Sequence, residues 1–341
     1  MRIAQIAPLA ESVPPRFYGG TERVVSWLTE ELVKQGHEVT LFASRDSVTS
    51  ARLMSMVPEA IRLSKTIKIG IALHVLMLEK VFQMADEFDV LHFHVDLFHY
   101  SVCKRLKKAW INTLHGRLDL VELAQFFEEF RDAPVISISD SQREPLPWLN
   151  WRRTVHHGLP SNLYTFKAKP SDYLLFLGRI SPEKRLDRAI EIANRTGQRL
   201  VVAAKVDLAD EQYFQDVIKP LLNNPLVEFI GEVSQEQKDE LIGNAQGLLF
   251  PIDWREPFGI VTIEALACGT PVIAWNCGSV PEIIDSGVTG FICTSIEEAV
   301  KAVQSIGSID RHKCREVFEQ RFDVKVMADK YLSVYEEQLA G

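Results

Sequence analysis

The run Gly178-Arg179-Ile180-Ser181-Pro182-Glu183-Lys184 ends an apolar stretch and sets a guanidinium and an ammonium at the mouth of a helix. Ser181 is placed to cap that helix and Pro182 to open it, so Arg179 and Lys184 are expected to converge on one anion site. A cation near a helix N-terminus is locally unfavourable, and a bound diphosphate would reverse the sign. The arginine supplies a fork of donors and the lysine a point charge. Two solvated surface cations are the alternative. Further along, Glu256-Pro257-Phe258-Gly259-Ile260 leads into Val261-Thr262-Ile263-Glu264-Ala265. Pro257 and Gly259 keep the first turn irregular, which leaves Glu256 at the loop mouth and Glu264 one to two turns inside the helix. Two carboxylates at that spacing can accept hydroxyl hydrogen bonds from different parts of one elongated ligand. The alternative is a solvated Glu256 and a Glu264 paired with a lysine. In the first loop, Gly19-Gly20-Thr21-Glu22 precedes another helix, where backbone N–H groups can approach a phosphate or an anionic acceptor, although paired glycines also serve as a hinge.

The histidines raise a different chemistry. His92-Phe93-His94-Val95-Asp96 puts two imidazoles on one strand face and has the spacing of some metallohydrolases. No further His and carboxylate ligands are laid out for it, so histidines lining a cleft edge are the alternative and no metal site is assigned. His115, followed by Gly116 at the next strand end, can hydrogen-bond a ligand hydroxyl or a backbone carbonyl. The turn after the first strand lacks G-x-G-x-x-G, and no G-x-x-x-x-G-K-[ST] occurs, which argues against dinucleotide oxidoreductases and P-loop nucleotidases.

These residues need a scaffold that delivers loops to one edge. Short β-rich runs alternate with helical periods throughout, the pattern of parallel sheets covered by helices on both faces. Strands are predicted over 2–7, 38–43, 90–94, 109–113 and 135–138, then over 173–177, 199–203, 226–230, 247–250 and 271–274. Helices are predicted over 21–35, 69–85 and 118–130, with a last amphipathic helix over 322–339. With 341 residues, two domains are expected, split in the turn-rich stretch 156–170. The boundaries are 1–165 and 166–321, each doubly wound, and ligands should bind on the loops after the strands. The net charge of −8 falls wholly in residues 166–341, which hold 19 basic and 27 acidic residues against 19 and 19 in residues 1–165. Neither half is basic, so nucleic-acid binding is not expected. The cluster Lys104, Arg105, Lys107, Lys108 is read as the cationic end of a helix, with peripheral contact to an anionic membrane as the second reading. No apolar run reaches the roughly 20 residues of a membrane span, and the N-terminus reads as a strand rather than a signal, which predicts a cytoplasmic location. Five cysteines without a C-x-x-C pair predict reduced, mostly buried thiols.

Four landmarks in order resemble the nucleotide-sugar glycosyltransferases of the GT-B fold, specifically family 4, whose members are retaining enzymes. They are Gly19-Gly20-Thr21-Glu22; Gly178-Arg179 with Lys184; the E-x₇-E element from Glu256 to Glu264; and Gly278-Ser279-Val280-Pro281-Glu282-Ile283-Ile284 with Gly287 and Gly290. The resemblance spans nearly the whole chain. It implies two Rossmann-like domains facing across a cleft, with the C-terminal helix (322–341) crossing back to complete the first. Arg179 and Lys184 would hold the donor diphosphate, Glu264 the ribose, and Glu256 with the N–H groups of Phe258, Gly259 and Ile260 the donor sugar. His115 would touch that sugar's far edge, Gly19 and Gly20 would sit by the phosphate and the acceptor, and Arg16 and Glu22 would meet the acceptor. The family's usual glycine after the phosphate lysine is replaced here by Arg185, which either adds a charge or faces solvent. Ala203-Ala204-Lys205-Val206-Asp207 replaces a common glycine-rich turn, making Lys205 a candidate extra donor contact.

The expected reaction moves a hexose, by family habit from UDP-glucose, to a saccharide or lipid-linked saccharide. Cations and helix N–H groups would stabilise the leaving diphosphate with no metal or other cofactor. No carboxylate nucleophile can be nominated, so a same-face displacement is expected. A nucleotide-sugar epimerase and a non-catalytic nucleotide-sugar binding protein are the rival readings.

Overall fold

A computed structural model describes residues 1–16 and 19–340; Tyr18, beside the first glycine pair, lies outside the described residues. The chain divides into two units, Met1–Leu159 with Val324–Gly341, and Pro160–Asp323. The division falls at Leu159/Pro160 rather than at 165/166 because the intervening residues are held by the second unit. Arg315 donates to the Ser161 carbonyl at 2.8 Å, and Thr165 N donates to Asp239 Oδ1 at 2.8 Å.

Unit 1 is a seven-stranded sheet of β1 (Arg2–Ile6), β2 (Glu38–Phe42), β3 (Arg52–Met54), β4 (Val90–Phe93), β5 (Ala109–Thr113), β6 (Val135–Ser137) and β7 (Trp151–Thr154). The spatial order is 3-2-1-4-5-6-7 and every pairing is parallel. The predicted strands and the helices Gly20–Lys34, Gly70–Gln83 and Val121–Glu129 are present with small end shifts. β3 and β7 were not expected from the sequence. Both are short edge strands that stay partly exposed, and β7 reads Trp-Arg-Arg-Thr, so neither shows an apolar run. The helix Val324–Ala340 buries Met327, Ala328, Tyr331, Val334 and Tyr335 in this unit. Fully buried side chains such as Met327 and Val334 each contribute roughly 1.5–3 kcal/mol.

Unit 2 is a six-stranded parallel sheet of β8 (Tyr173–Ile180), β9 (Arg199–Val206), β10 (Val227–Phe229), β11 (Gly247–Phe250), β12 (Val272–Trp275) and β13 (Gly290–Cys293), in the order 10-9-8-11-12-13. Its core packs Leu174, Phe176, Ile190, Leu200, Val202 and Ile273 between sheet and helices. In both sheets the strand order therefore reverses beside the first strand, between β1 and β4 and between β8 and β11, the switch point where open α/β sheets bind ligands. β8 and β9 run three residues longer than expected. That extension makes Arg179 and Lys205 register partners on neighbouring strands. Among the described residues, no helix is long and apolar enough to cross a membrane.

Candidate active site

In unit 2 the carboxyl ends of β8, β9 and β11 carry the charged residues singled out by the sequence, and that of β12 leads into Gly278-Ser279. Arg179 is about one-third exposed and faces three carboxylates: Glu183 Oε1 at 2.6 Å, Asp210 Oδ2 at 3.6 Å and Asp207 Oδ2 at 3.8 Å. Lys205, its cross-strand neighbour, shares Asp207 at 2.9 Å. Lys184 is buried deeper and pairs with Glu256, while its ammonium lies 5.4 Å from the Trp254 ring centre and 5.5 Å from that of Phe250. Trp254 Nε1 donates to the same Glu256 oxygen at 3.0 Å. The cations are thus paired rather than freely solvated. Each is already matched by a carboxylate that an incoming phosphate would have to replace.

Two local expectations are corrected. Ser181 makes no side-chain cap, because Pro182–Lys184 forms a separate 3-10 turn and the helix proper begins at Leu186. Arg185 neither faces solvent nor adds a spare charge. It adopts a left-handed conformation (φ 55°) between turn and helix, and its guanidinium binds Asp187 at 2.8 Å and Asp253 at 2.7 Å. The left-handed break suits the glycine that the family resemblance implies at this position, and here Arg185 holds it with two ion pairs.

Glu256 is fixed through its backbone. Gly278 (φ 58°) lies so close that a Cβ there would come within 2.4 Å of the Glu256 carbonyl oxygen, and Ser279 N donates to that oxygen at 3.1 Å. Ser279 Oγ reaches the Phe258 carbonyl at 2.7 Å. The Gly278-Ser279 landmark is therefore a clamp on the Glu256–Phe258 loop. Gly259 takes a left-handed conformation (φ 83°) as the N-cap of helix Ile260–Ala267; Thr262 N donates to the Gly259 carbonyl at 3.0 Å, and the N–H groups before it have no preceding carbonyl within the helix. Glu264 sits inside that helix, almost fully buried, and pairs with Lys238 at 2.6 Å. The lysine pairing left open by the sequence is thus realised. Sequence reasoning missed Lys238, Trp254 and the Glu183, Asp207, Asp210 trio. The one signal was a carboxylate in the apolar context Ile263-Glu264-Ala265, which requires a counter-charge from elsewhere.

In unit 1, Gly19 is the N-cap of helix Gly20–Lys34, and a Cβ on Gly19 would meet Pro15 Cβ at 2.8 Å and Glu22 Oε2 at 3.2 Å. Glu22 is buried, and burial raises its carboxyl pKa. Arg16 is exposed, 3.7 Å from Asp46. His92 and His94 do not line a cleft edge but are fully buried beneath the C-terminal helix. Both nitrogens of each ring are spent: His92 on Tyr335 and Thr113, each at 2.8 Å, and His94 on His115 at 2.9 Å and Gln5 at 2.7 Å. Rings so engaged have no lone pair for a metal. Burial drives the pKa of His92, His94 and His157 well below the ordinary value and that of His115 to about 3, so all four are neutral. The basic stretch behaves as a helix end. Lys104 caps the short helix Tyr100–Cys103 and binds Glu129 at 2.7 Å.

Comparison with known proteins agrees with this arrangement. The model for glycosyl transferases group 1 matches residues 165–321, and that for glycosyltransferase family 4 matches residues 18–170. An uncharacterized glycosyltransferase, MJ1607, of Methanocaldococcus jannaschii is 25% identical over 340 residues, covering 84% of each chain. A sucrose-phosphate synthase structure from Thermosynechococcus elongatus superposes with a TM-score of 0.79 at 19% identity, covering 99% of each chain. The structure of Anabaena Alr3699/HepE in complex with UDP and glucose gives 0.75 at 17% identity, covering 99% of this chain and 100% of that one. The chain belongs to glycosyltransferase family 4 and has the GT-B fold.

Proposed function

We propose that the protein transfers a hexosyl group from a UDP-sugar, UDP-glucose being the first donor to test, to a saccharide or lipid-linked saccharide with retention of anomeric configuration. The observation that carries this reading is the matched pair Lys184–Glu256 on the clamped loop. When a diphosphate takes Lys184, the Glu256 carboxylate is released to accept sugar hydroxyl hydrogen bonds, so one exchange serves both halves of the donor. Arg179 and Lys205 share the phosphate charge, and the N–H groups opening helix Ile260–Ala267 complete the anion site. Glu264, tied to Lys238, takes the ribose hydroxyls. The relative crystallised with UDP and glucose supports a uridine nucleotide.

In the reaction the bond from the anomeric carbon to the β-phosphate oxygen breaks as the acceptor oxygen bonds to the same face. The acceptor's proton passes to the departing phosphate oxygen. Arg179 and Lys184 stabilise the charge that develops there, and no metal ion takes part. The acceptor meets unit 1 around Gly19, Gly20, Arg16 and Glu22. Exposed Phe98 and Val102 beside Lys104, Arg105, Lys107 and Lys108 support peripheral contact with an anionic membrane carrying that acceptor on the cytoplasmic face.

The test is calorimetric titration of metal-chelated protein with UDP, GDP and ADP, repeated on Glu264→Ala. Selective UDP binding that the variant loses is the expected result, followed by transfer from UDP-glucose. Failure of every nucleotide to bind refutes the reading. Donor hydrolysis or epimerisation without transfer would favour an epimerase, and binding without turnover a non-catalytic protein.

A further inference from the structure

The buried polar network of unit 1 can be read in one direction from end to end. The Gln5 amide nitrogen donates to Tyr335 Oη at 3.0 Å, which leaves Gln5 Oε1 to accept from His94 Nε2 at 2.7 Å. A neutral His94 protonated at Nε2 keeps its lone pair on Nδ1, and that atom accepts from His115 Nε2 at 2.9 Å. In the other direction Tyr335 Oη donates to His92 Nδ1 and His92 Nε2 donates to Thr113 Oγ1, both at 2.8 Å. Thr113 Oγ1 then donates to Tyr331 Oη at 3.1 Å. His115 is left with a proton on Nε2 and a lone pair on Nδ1, and Nδ1 has no hydrogen-bond partner among the described residues.

A half-turn of the Gln5 amide would exchange its donor and acceptor and reverse every bond in the chain. His115 would then carry an Nδ1–H with nothing to receive it, and a buried N–H without an acceptor is rarer and costlier than an unused lone pair. The observed amide orientation avoids that outcome. His115 is half-buried as a residue, while its Nδ1 is itself closed to solvent, an enclosed polar atom without a partner at the carboxyl edge of the sheet.

We propose that Gln5, acting through His94, is a positioning residue that holds His115 as the Nε2–H tautomer, so that Nδ1 accepts a hydrogen bond from a sugar hydroxyl. The ligand half rests on the sugar-transfer reading above; the tautomer half does not. Gln5 selects between two coherent states of the whole network, and His115 presents an acceptor because the amide oxygen faces His94.

The test uses the full chain labelled with ¹⁵N-histidine and long-range ¹H–¹⁵N correlation spectra, with His115 assigned by signals lost in His115→Asn. In the ligand-free protein His94 and His115 are both expected as Nε2–H tautomers, with pyridine-like Nδ1. A His115 found as Nδ1–H, or averaged between forms, overturns the proposal without any variant. Gln5→Met should convert both histidines to mixed tautomers and lower kcat ~10-fold, with the donor KM within about twofold, the effect of one hydrogen bond. An unchanged His115 spectrum in Gln5→Met overturns Gln5 as the selector, whatever the activity. Added UDP-glucose should shift the His115 Nδ1 resonance, and binding without that shift overturns the ligand half. Absence of sugar transfer with the expected free-protein spectrum condemns the activity and not the tautomer.

Discussion

Acidification from pH 7.5 to pH 5 is expected to weaken unit 1 far more than unit 2. Burial lowers the pKa of six histidines in unit 1: His99 and His115 to about 3, His92, His94 and His157 well below the ordinary value, and His37 in the same direction. In the unfolded chain each binds a proton near pH 6.5. Below that pH the unfolded state therefore holds more protons than the native state, and stability falls as pH falls. The loss begins near pH 6.5 and ends only near the native pKa. At pH 5, 1.5 units into that window, each fully neutral histidine costs about 2 kcal/mol, so His99 and His115 alone cost about 4 kcal/mol. The other four act in the same direction. Glu22 and Asp96, whose carboxyl pKa values burial raises, oppose them. A loss of this size is comparable to the total stability of an ordinary domain, about 5–15 kcal/mol. Unit 2 contains a single histidine, His312, and should be nearly indifferent over the same range. The assay is urea unfolding at pH 7.5, 6 and 5, read by hydrogen-exchange mass spectrometry on peptides from β4 and from β11, with exchange corrected for intrinsic pH dependence. His99 stacks on Phe93 with ring centres 4.2 Å apart, so His99→Phe should keep the packing and remove one proton from the pH slope. An unchanged unit 1 midpoint at pH 5, or an equal fall in unit 2, would refute the reasoning.

Further substitutions test the site. Arg179→Ala and Lys184→Ala should each lower turnover by about 10²–10³-fold, as expected for loss of one preorganised charge-stabilising group. Lys107→Ala should stay near wild type with a soluble acceptor; equal losses in all three would discredit the site. Gly278→Ala forces a Cβ against the Glu256 backbone in a left-handed conformation and should cost about 1–3 kcal/mol in the urea midpoint of unit 2. It should also weaken UDP binding, and normal affinity in this variant would show that the clamp does not position Glu256.

The α/β alternation was legible because parallel strands buried on both faces are continuous apolar runs, as in β11 (Gly-Leu-Leu-Phe). Edge strands escape that signal, which is why β7 was invisible. Arg179, Lys184, Glu256 and Glu264 were legible because loops after strands carry ligand residues in this architecture. Their partners were not. Lys238 approaches Glu264 from a different helix, and Asp207 and Asp210 approach Arg179 from beyond β9, so both pairings exist only after the sheet has formed. The histidines failed for a related reason. Strand alternation correctly put His92 and His94 on one face, but the decision between lining an edge and lying in a core depended on a helix more than two hundred residues away in sequence.

That helix also bears on how the molecule is made. Unit 1 cannot cover its histidine network until Tyr331 and Tyr335 leave the ribosome, and all of unit 2 is synthesised in between. At roughly 5–20 residues per second the wait is on the order of ten to thirty seconds. Throughout that interval the carboxyl-edge histidines stay open to water and free to take up protons, while unit 2 has its whole sequence available for folding. The sequence of the second unit is therefore complete before that of the first, and a helix translated after unit 2 is the one that seals the older sheet.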